Sequence, residues 1–245
     1  EILPSFSKGR VLIAVGGAPF KCPPAPSEAA LMMHDYLSTR GVRSACEITL
    51  ILPLEVPVPP SPETSRALLA AFAERNITFV GDREMRSVDT QRREVTLDDG
   101  RVFPYDLFLG VPAIHAPKML EVSGMTENGY VPVKPRTLET CFPDVYAIGD
   151  CARQGTPKAG VFAEGAARAV AKALIARLRN EEVPVTHAGT GVCFIEFGAG
   201  RIGQVEVDFF SNPDGPTGTY HEPSVALRAG KEHFSASRRA RWFGL

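Results

Sequence analysis

The feature that most limits the fold is an alternation of strands and helices over the first hundred residues. Residues 11–15, 47–52 and 77–80 are short, mostly apolar runs, the pattern of strands buried on both faces. Helical spacing separates them. Ser27 is placed to cap a helix reaching Arg40, with Ala30, Met33 and Leu37 on one face. After the Pro-rich link "LEVPVPPSPE", a second helix near residues 65–75 sets Leu68 and Phe72 one turn apart. Strands alternating with helices build a parallel α/β sheet. The first strand runs on as "VLIAVGGAPFKCPPAP". Its glycine turn opens like a dinucleotide-binding unit, but a cysteine among prolines stands where a phosphate-cradling loop belongs.

The pattern then changes twice. Around "REVTLDDGRVF", Asp98, Asp99 and Gly100 mark a tight turn in a β-meander. From "YDLFLGV" the strands are again apolar, ending in "DVYAIGD", and Ala163, Ala167, Val170, Ala171, Leu174 and Leu178 then form an apolar stripe on a helix ending near Asn180. Beyond Pro184, "VCFIEFGAGRIGQVEVDFF" has period two, an antiparallel hairpin. Within it "GAGRIG" matches G-x-G-x-x-G. It lies between alternating strands with no helix after it, so it reads as a hairpin turn.

Composition excludes several functions. The 245 residues, 44% of them hydrophobic, suffice for real cores, and no apolar run approaches the ~20 residues of a membrane span. A formal net charge of −1 gives no footprint for nucleic acid. The five cysteines form no C-x-x-C pair and no metal-ligand spacing with the five histidines. Their odd number suits a reducing compartment, and the expected location is cytoplasmic or peripheral at the inner membrane. The opening "EILPSFSKGR" has no initiator Met, so the chain reads as part of a longer one. The final "SASRRARWFGL" joins basic residues to Trp242 and Phe243. It is either an interfacial anchor or, more simply, a solvated basic tail.

"TLETCFPDVYAIGDCA" carries the strongest chemical signal. A Thr, a spacer, an apolar strand with an aromatic, and Gly-Asp form the second FAD fingerprint of flavoproteins with two dinucleotide domains. In that reading Asp150 accepts a hydrogen bond from a ribityl hydroxyl, and Gly149 lets the backbone approach; the alternative is an ordinary Gly-Asp turn. "TPKAGVFAEGAARAVA" follows, placing the free N–H groups of Gly160 and Val161 at a helix start suited to the anionic edge of a reduced flavin. Lys158 either adds charge there or is a plain surface lysine. His115 can lie near the ring.

Cys22 precedes Pro23, which favours an extended backbone, and it stands just before a helix start, which tends to lower a thiol pKa. Chemistry alone leaves two readings, an activated nucleophile or a buried inert cysteine.

"APFKCPPAPSEAA", "VYAIGDCA", "TPKAGVFAEGAARAVA" and "GVCFIEFG" together resemble the sulfide:quinone oxidoreductase and flavocytochrome c sulfide dehydrogenase group. That group belongs to the FAD-dependent pyridine nucleotide-disulfide oxidoreductases. The resemblance implies an α/β flavoprotein of two dinucleotide-binding domains, its first FAD glycine loop lying outside this sequence. It divides the chain into a second dinucleotide-binding-like domain (9–104), the C-terminal half of an FAD-binding domain (105–182) and a small α+β segment (183–245). It also implies Cys22 and Cys193 as a redox pair and Glu28, six residues after the first cysteine, as a proton-handling acid. Electrons would pass from sulfide or a related sulfur compound through the pair and FAD to a quinone or cytochrome. An NAD(P)H:acceptor flavin oxidoreductase and a non-catalytic interaction domain are the competing readings.

Overall fold

Val11, Leu12, Ile13, Ala14 and Val15 are each at most 2% exposed, because their strand lies inside a sheet covered on both faces. The computed structural model describes residues 2–182 and 186–245. The chain runs β1 (Gly9–Val15), α1 (Ala25–Thr39), β2 (Cys46–Ile51), α2 (Pro62–Glu74) and β3 (Ile77–Val80). An antiparallel meander of β4 (Met85–Asp89), β5 (Glu94–Leu97) and β6 (Val102–Pro104) follows, and β7 (Leu107–Val111) returns to the first sheet. That sheet is wholly parallel, in the order β3-β2-β1-β7. Successive strands extend it one way from β1, and β7 joins on the other side. The topological switch therefore lies at the carboxyl end of β1, where open α/β sheets bind ligands.

Helix starts follow local chemistry. α1 begins at Ala25, two residues before the expected cap, with Pro24 at its N-cap and a proline in its first turn. Proline presets φ and lacks the N–H a cap would satisfy. Ser27 consequently lies inside the first turn, fully buried, its hydroxyl without a partner. α2 has a side-chain cap. Ser61 Oγ accepts from the Thr64 N–H at 3.3 Å and shares a 2.7 Å hydrogen bond with its hydroxyl. Ser61→Ala is expected to cost about 1 kcal/mol, read as a lowered urea midpoint at unchanged slope. Ala30, Met33 and Leu37 of α1 and Leu68 and Phe72 of α2 are buried as their spacing predicts.

The middle of the chain departs further from expectation. It holds α3 (Lys118–Val122), a two-residue parallel pair β8 (Val131–Pro132) and β9 (Ala152–Arg153), and α4 (Gly160–Leu178). "VYAI" is not a strand. Among the described residues its only ladder contact is an isolated Glu139–Tyr146 bridge, and Val145 and Ile148 are exposed. Parallel strands need partners in register, and none flanks this run. α4 also turns a different face inward. Phe162, Ala166, Ala169, Val170 and Ala176 are buried, whereas Leu174 is 40% and Leu178 84% exposed. Small residues let the helix sit close to Leu138, and Phe162 reaches into the main core.

The C-terminal segment is a sheet of β10 (Thr190–Glu196), β11 (Ile202–Asp208) and β12 (Thr217–Ser224), then α5 (Leu227–Phe243). The expected division at 183 falls outside the described residues. "GAGRIG" supplies the β10–β11 turn, with Gly198, Ala199 and Gly200 all at positive φ and Arg201 N–H bonding Gly198 O. Ile195, Phe197, Val205 and Val207 pack into the same core as α1 and α2. α5 was not expected as a helix. No helix among the described residues is long and apolar enough to cross a membrane.

Candidate functional site

The loop leaving β1 sits at the topological switch. Gly16 N–H bonds Val111 O at 2.8 Å, closing the gap between β1 and β7. Phe20 then folds into the core at 3% exposure. Cys22 follows in the left-handed region, φ 49°, not in the extended state that a following proline favours. Two backbone bonds hold it there. Its N–H donates to Lys158 O at 2.7 Å, and its carbonyl accepts from Ala25 N–H at 2.8 Å. The first ties the loop to the segment entering α4 and the second starts α1, which together outweigh the local preference.

Cys193 comes from β10, opposite Val205 in the ladder. Both cysteines are free thiols and line one cavity of about 450 Å³ with Glu28 of α1, Gly160 and Val161 of α4, and Lys231 of α5. Residues 171 positions apart in sequence thus meet through tertiary packing. On its other side Cys193 borders a second cavity, of about 510 Å³. Pro19, Phe20, Pro59, Phe162 and Val205 are among its walls, and among the described residues the Cys193 thiol is the only side-chain heteroatom lining it.

The Cys22 thiol pKa is not lowered as a nearby helix start suggests, and that of Cys193 is raised as well. Burial pushes the Cys22 pKa up, and the Glu28 carboxylate adds to this; the Ala25 N–H opposes both more weakly. Cys193 is pushed up to about 12, by burial first and then by Cys22 and Glu28. The expected lowering fails because a helix start acts only over its first turn, while desolvation and a carboxylate act directly on these sulfurs. Cys22 adds to the shift of Cys193, as expected of two side chains lining one cavity.

The start of α4 fits a flavin. Its N-cap is Ala159, no side chain caps it, and its first turn holds no acid. Open space adjoins Gly160, where an added Cβ would meet nothing within 4 Å. A helix start with free N–H groups facing a cavity suits an anionic ring edge. Gly149, at φ 73°, makes the turn that only a residue without Cβ enters freely, and opens the 3₁₀ turn holding Asp150. Asp150 Oδ2 lies 3.2 Å from Lys21 Nζ, beside the Cys22 loop, with 39% of its side chain exposed. Lys158 is elsewhere. Its ammonium is buried, bonds Ala152 O and stands 4.3 Å above the Tyr130 ring centre, with its pKa lowered by burial. With His115 it lines a separate cavity of about 450 Å³. Neither reaches the cysteine cavity.

Residues 28–174, well over half of the chain, match the family described as pyridine nucleotide-disulphide oxidoreductase. The chain belongs to that family. Pyridine nucleotide-disulphide oxidoreductases of this kind are FAD-binding flavoproteins. The chain is 22% identical over 221 residues to the mitochondrial sulfide:quinone oxidoreductase of Mus musculus, covering 87% of this chain and 49% of that protein. It is 26% identical over 205 residues to the Schizosaccharomyces pombe enzyme of the same name, covering 79% and 44%. It spans about half the length of these relatives. A crystal structure of the sulfide:quinone oxidoreductase of Aquifex aeolicus superposes with a TM-score of 0.73 at 20% identity, over 93% of this chain and 57% of that one. That likeness is one of fold.

Sequence reasoning missed Lys21, Glu196, Lys231, Phe234 and Arg238. One signal was available for α5. Leu227, Lys231, Phe234 and Arg238 recur at intervals of four, three and four, one face of a helix. Lys21 and Glu196 carry no comparable local mark.

Proposed function

We propose that this chain supplies the catalytic cysteines and part of the FAD site of an oxidoreductase that oxidises sulfide or a related sulfur compound. The observation that carries this reading is the meeting of Cys22, Cys193 and Glu28 with the uncapped start of α4 in one cavity. Gly160 and Val161 N–H groups would hold the anionic edge of the flavin, and Asp150 its ribityl chain. FAD would supply the two-electron chemistry, taking electrons from the cysteine pair and delivering them to a quinone or cytochrome.

The chain's own step is thiol–disulfide exchange. With Cys22 and Cys193 joined as a disulfide, hydrosulfide attacks Cys193, the sulfur that also faces the apolar cavity. A new S–S bond forms, the Cys22–Cys193 bond breaks, and its electron pair leaves on Cys22 as thiolate. Glu28 accepts the proton released from the persulfide. The nucleophile is hydrosulfide and the enzyme's sulfurs begin as a disulfide, so neither cysteine has to ionise before the attack.

A nicotinamide donor fits less well. Phe20 and prolines occupy the nucleotide-loop position, and β2 leads into Leu52, Pro53 and Leu54 where an acid suited to a ribose would stand. Anaerobic mixing of the FAD-loaded full-length protein with sulfide and, separately, NADH tests the reading. Rapid bleaching of the flavin by sulfide alone is expected; bleaching by NADH alone would replace this proposal with the nicotinamide one.

A further inference from the structure

Three charged side chains from three elements meet at the edge of the cysteine cavity. Lys231 Nζ of α5 lies 3.1 Å from Glu28 Oε1 of α1 and 2.7 Å from Glu196 Oε1 of β10. The Glu196 backbone N–H also donates to Glu28 Oε1, at 3.2 Å. All three side chains are part-buried, 35%, 25% and 24% exposed. Two carboxylates share one ammonium, and burial strengthens the coupling. Both donors bind the same oxygen of Glu28, so that carboxylate has one fixed orientation.

We propose that Lys231 is a positioning residue, which holds Glu28 against the cysteine pair and compensates its charge, so that thiol reactivity depends on α5 being docked. This rests on the redox-pair reading for its purpose, but not for its geometry. The rest of α5 is anchored to match. Glu164 of α4, its side chain 8% exposed, accepts from Arg238 at 2.9 Å and Arg241 at 2.6 Å, and Arg238 stacks 3.5 Å over the Phe234 ring. Burial lowers the Lys231 pKa, but its bonds to Glu196 and Glu28 outweigh that and raise it.

Among the described residues, the charged groups lining the cysteine cavity are Glu28 on α1 and Lys231, Arg238 and Arg239 on α5, with Glu196 of β10 on the Lys231 ammonium. Lys21 is turned to Asp150. Losing Lys231 leaves Glu28, still tied by the Glu196 N–H, uncompensated beside two sulfurs. The thiol forms are then favoured over the thiolates.

The test is the pH profile of Cys22 alkylation by iodoacetamide in the reduced protein, followed by peptide mass spectrometry. Lys231→Met should move the midpoint up by about half a unit and slow alkylation near pH 8 about threefold. Lys231→Arg should restore the parent profile, and Glu28→Gln should move it down. Adding Lys231→Met to Glu28→Gln should change nothing further. A parent-like profile in Lys231→Met would overturn the proposal. So would an equal slowing in the Glu28→Gln background, because Lys231 would then act by its own charge. Should Lys231→Met fail to fold by circular dichroism, Glu196→Gln decides: it should lower the midpoint, and an unmoved one overturns the proposal. The profile needs neither FAD nor sulfide, so it stands or falls apart from the proposed reaction.

Discussion

Serine at position 22 or 193 is expected to leave FAD bound and to slow flavin reduction by sulfide at least about a thousandfold. In the proposed reaction these two sulfurs carry the covalent intermediate, and Ser in place of Cys retains volume while removing the S–S bond. Cys46 is a suitable control, because it is buried in the core at the start of β2, and Cys46→Ser should change stability more than rate. The two catalytic positions should also differ from each other. Cys193 alone borders the apolar cavity, so in the reduced protein it should react faster with an uncharged methanethiosulfonate than with an anionic one of similar size. Stopped-flow spectra of the anaerobic variants are the measurement. Parent-rate reduction in either variant would return that cysteine to a structural role.

Loss of the Asp150 carboxylate is expected to weaken FAD binding by ~1.5–3 kcal/mol, the range for a hydrogen bond to a charged group, or about 10- to 150-fold in Kd. Asp150 is held ready by Lys21 at 3.2 Å, a contact that orients the carboxylate from the same loop that carries Cys22. Asp150→Asn keeps the shape and an acceptor, so it should fall between the parent and Asp150→Ala. Lys21→Met should produce a smaller loss, because the pair is solvent-exposed and exposed pairs contribute little. Titration of the full-length apoprotein with FAD, followed by flavin fluorescence, measures all three. An Asp150→Ala protein with parent affinity would make "YAIGD" an ordinary turn.

The same residues show how far sequence reading extends. Period-two and buried-strand patterns are short-range properties, so the parallel strands, the meander and the hairpin turn at "GAGRIG" were legible. Glycine at 149 and 160 was legible for a related reason, since each position demands a backbone without Cβ or a space that Cβ would fill. Helix facing was less so. On α4 the larger apolar residues suggested one face, but close packing selected the small ones and left Leu174 and Leu178 outside. "VYAI" has strand composition, yet pairing depends on a neighbour, which composition cannot supply.

What the sequence by itself determined was the α/β class, the position of the glycine turn at β1, and a motif pattern pointing to flavin and redox cysteines. Only the tertiary structure decided which charges surround the two thiols. Helix-end logic predicted a lowered thiol pKa at Cys22, whereas burial and the Glu28 carboxylate raise both thiols, Cys193 the more deeply set and Cys22 still exposed as a residue. Lys231 joins them from a helix 203 residues beyond Glu28. Local propensity acts over a few residues along the chain, but desolvation and Coulomb interactions depend on distance through space, and that distance is fixed only when the elements pack.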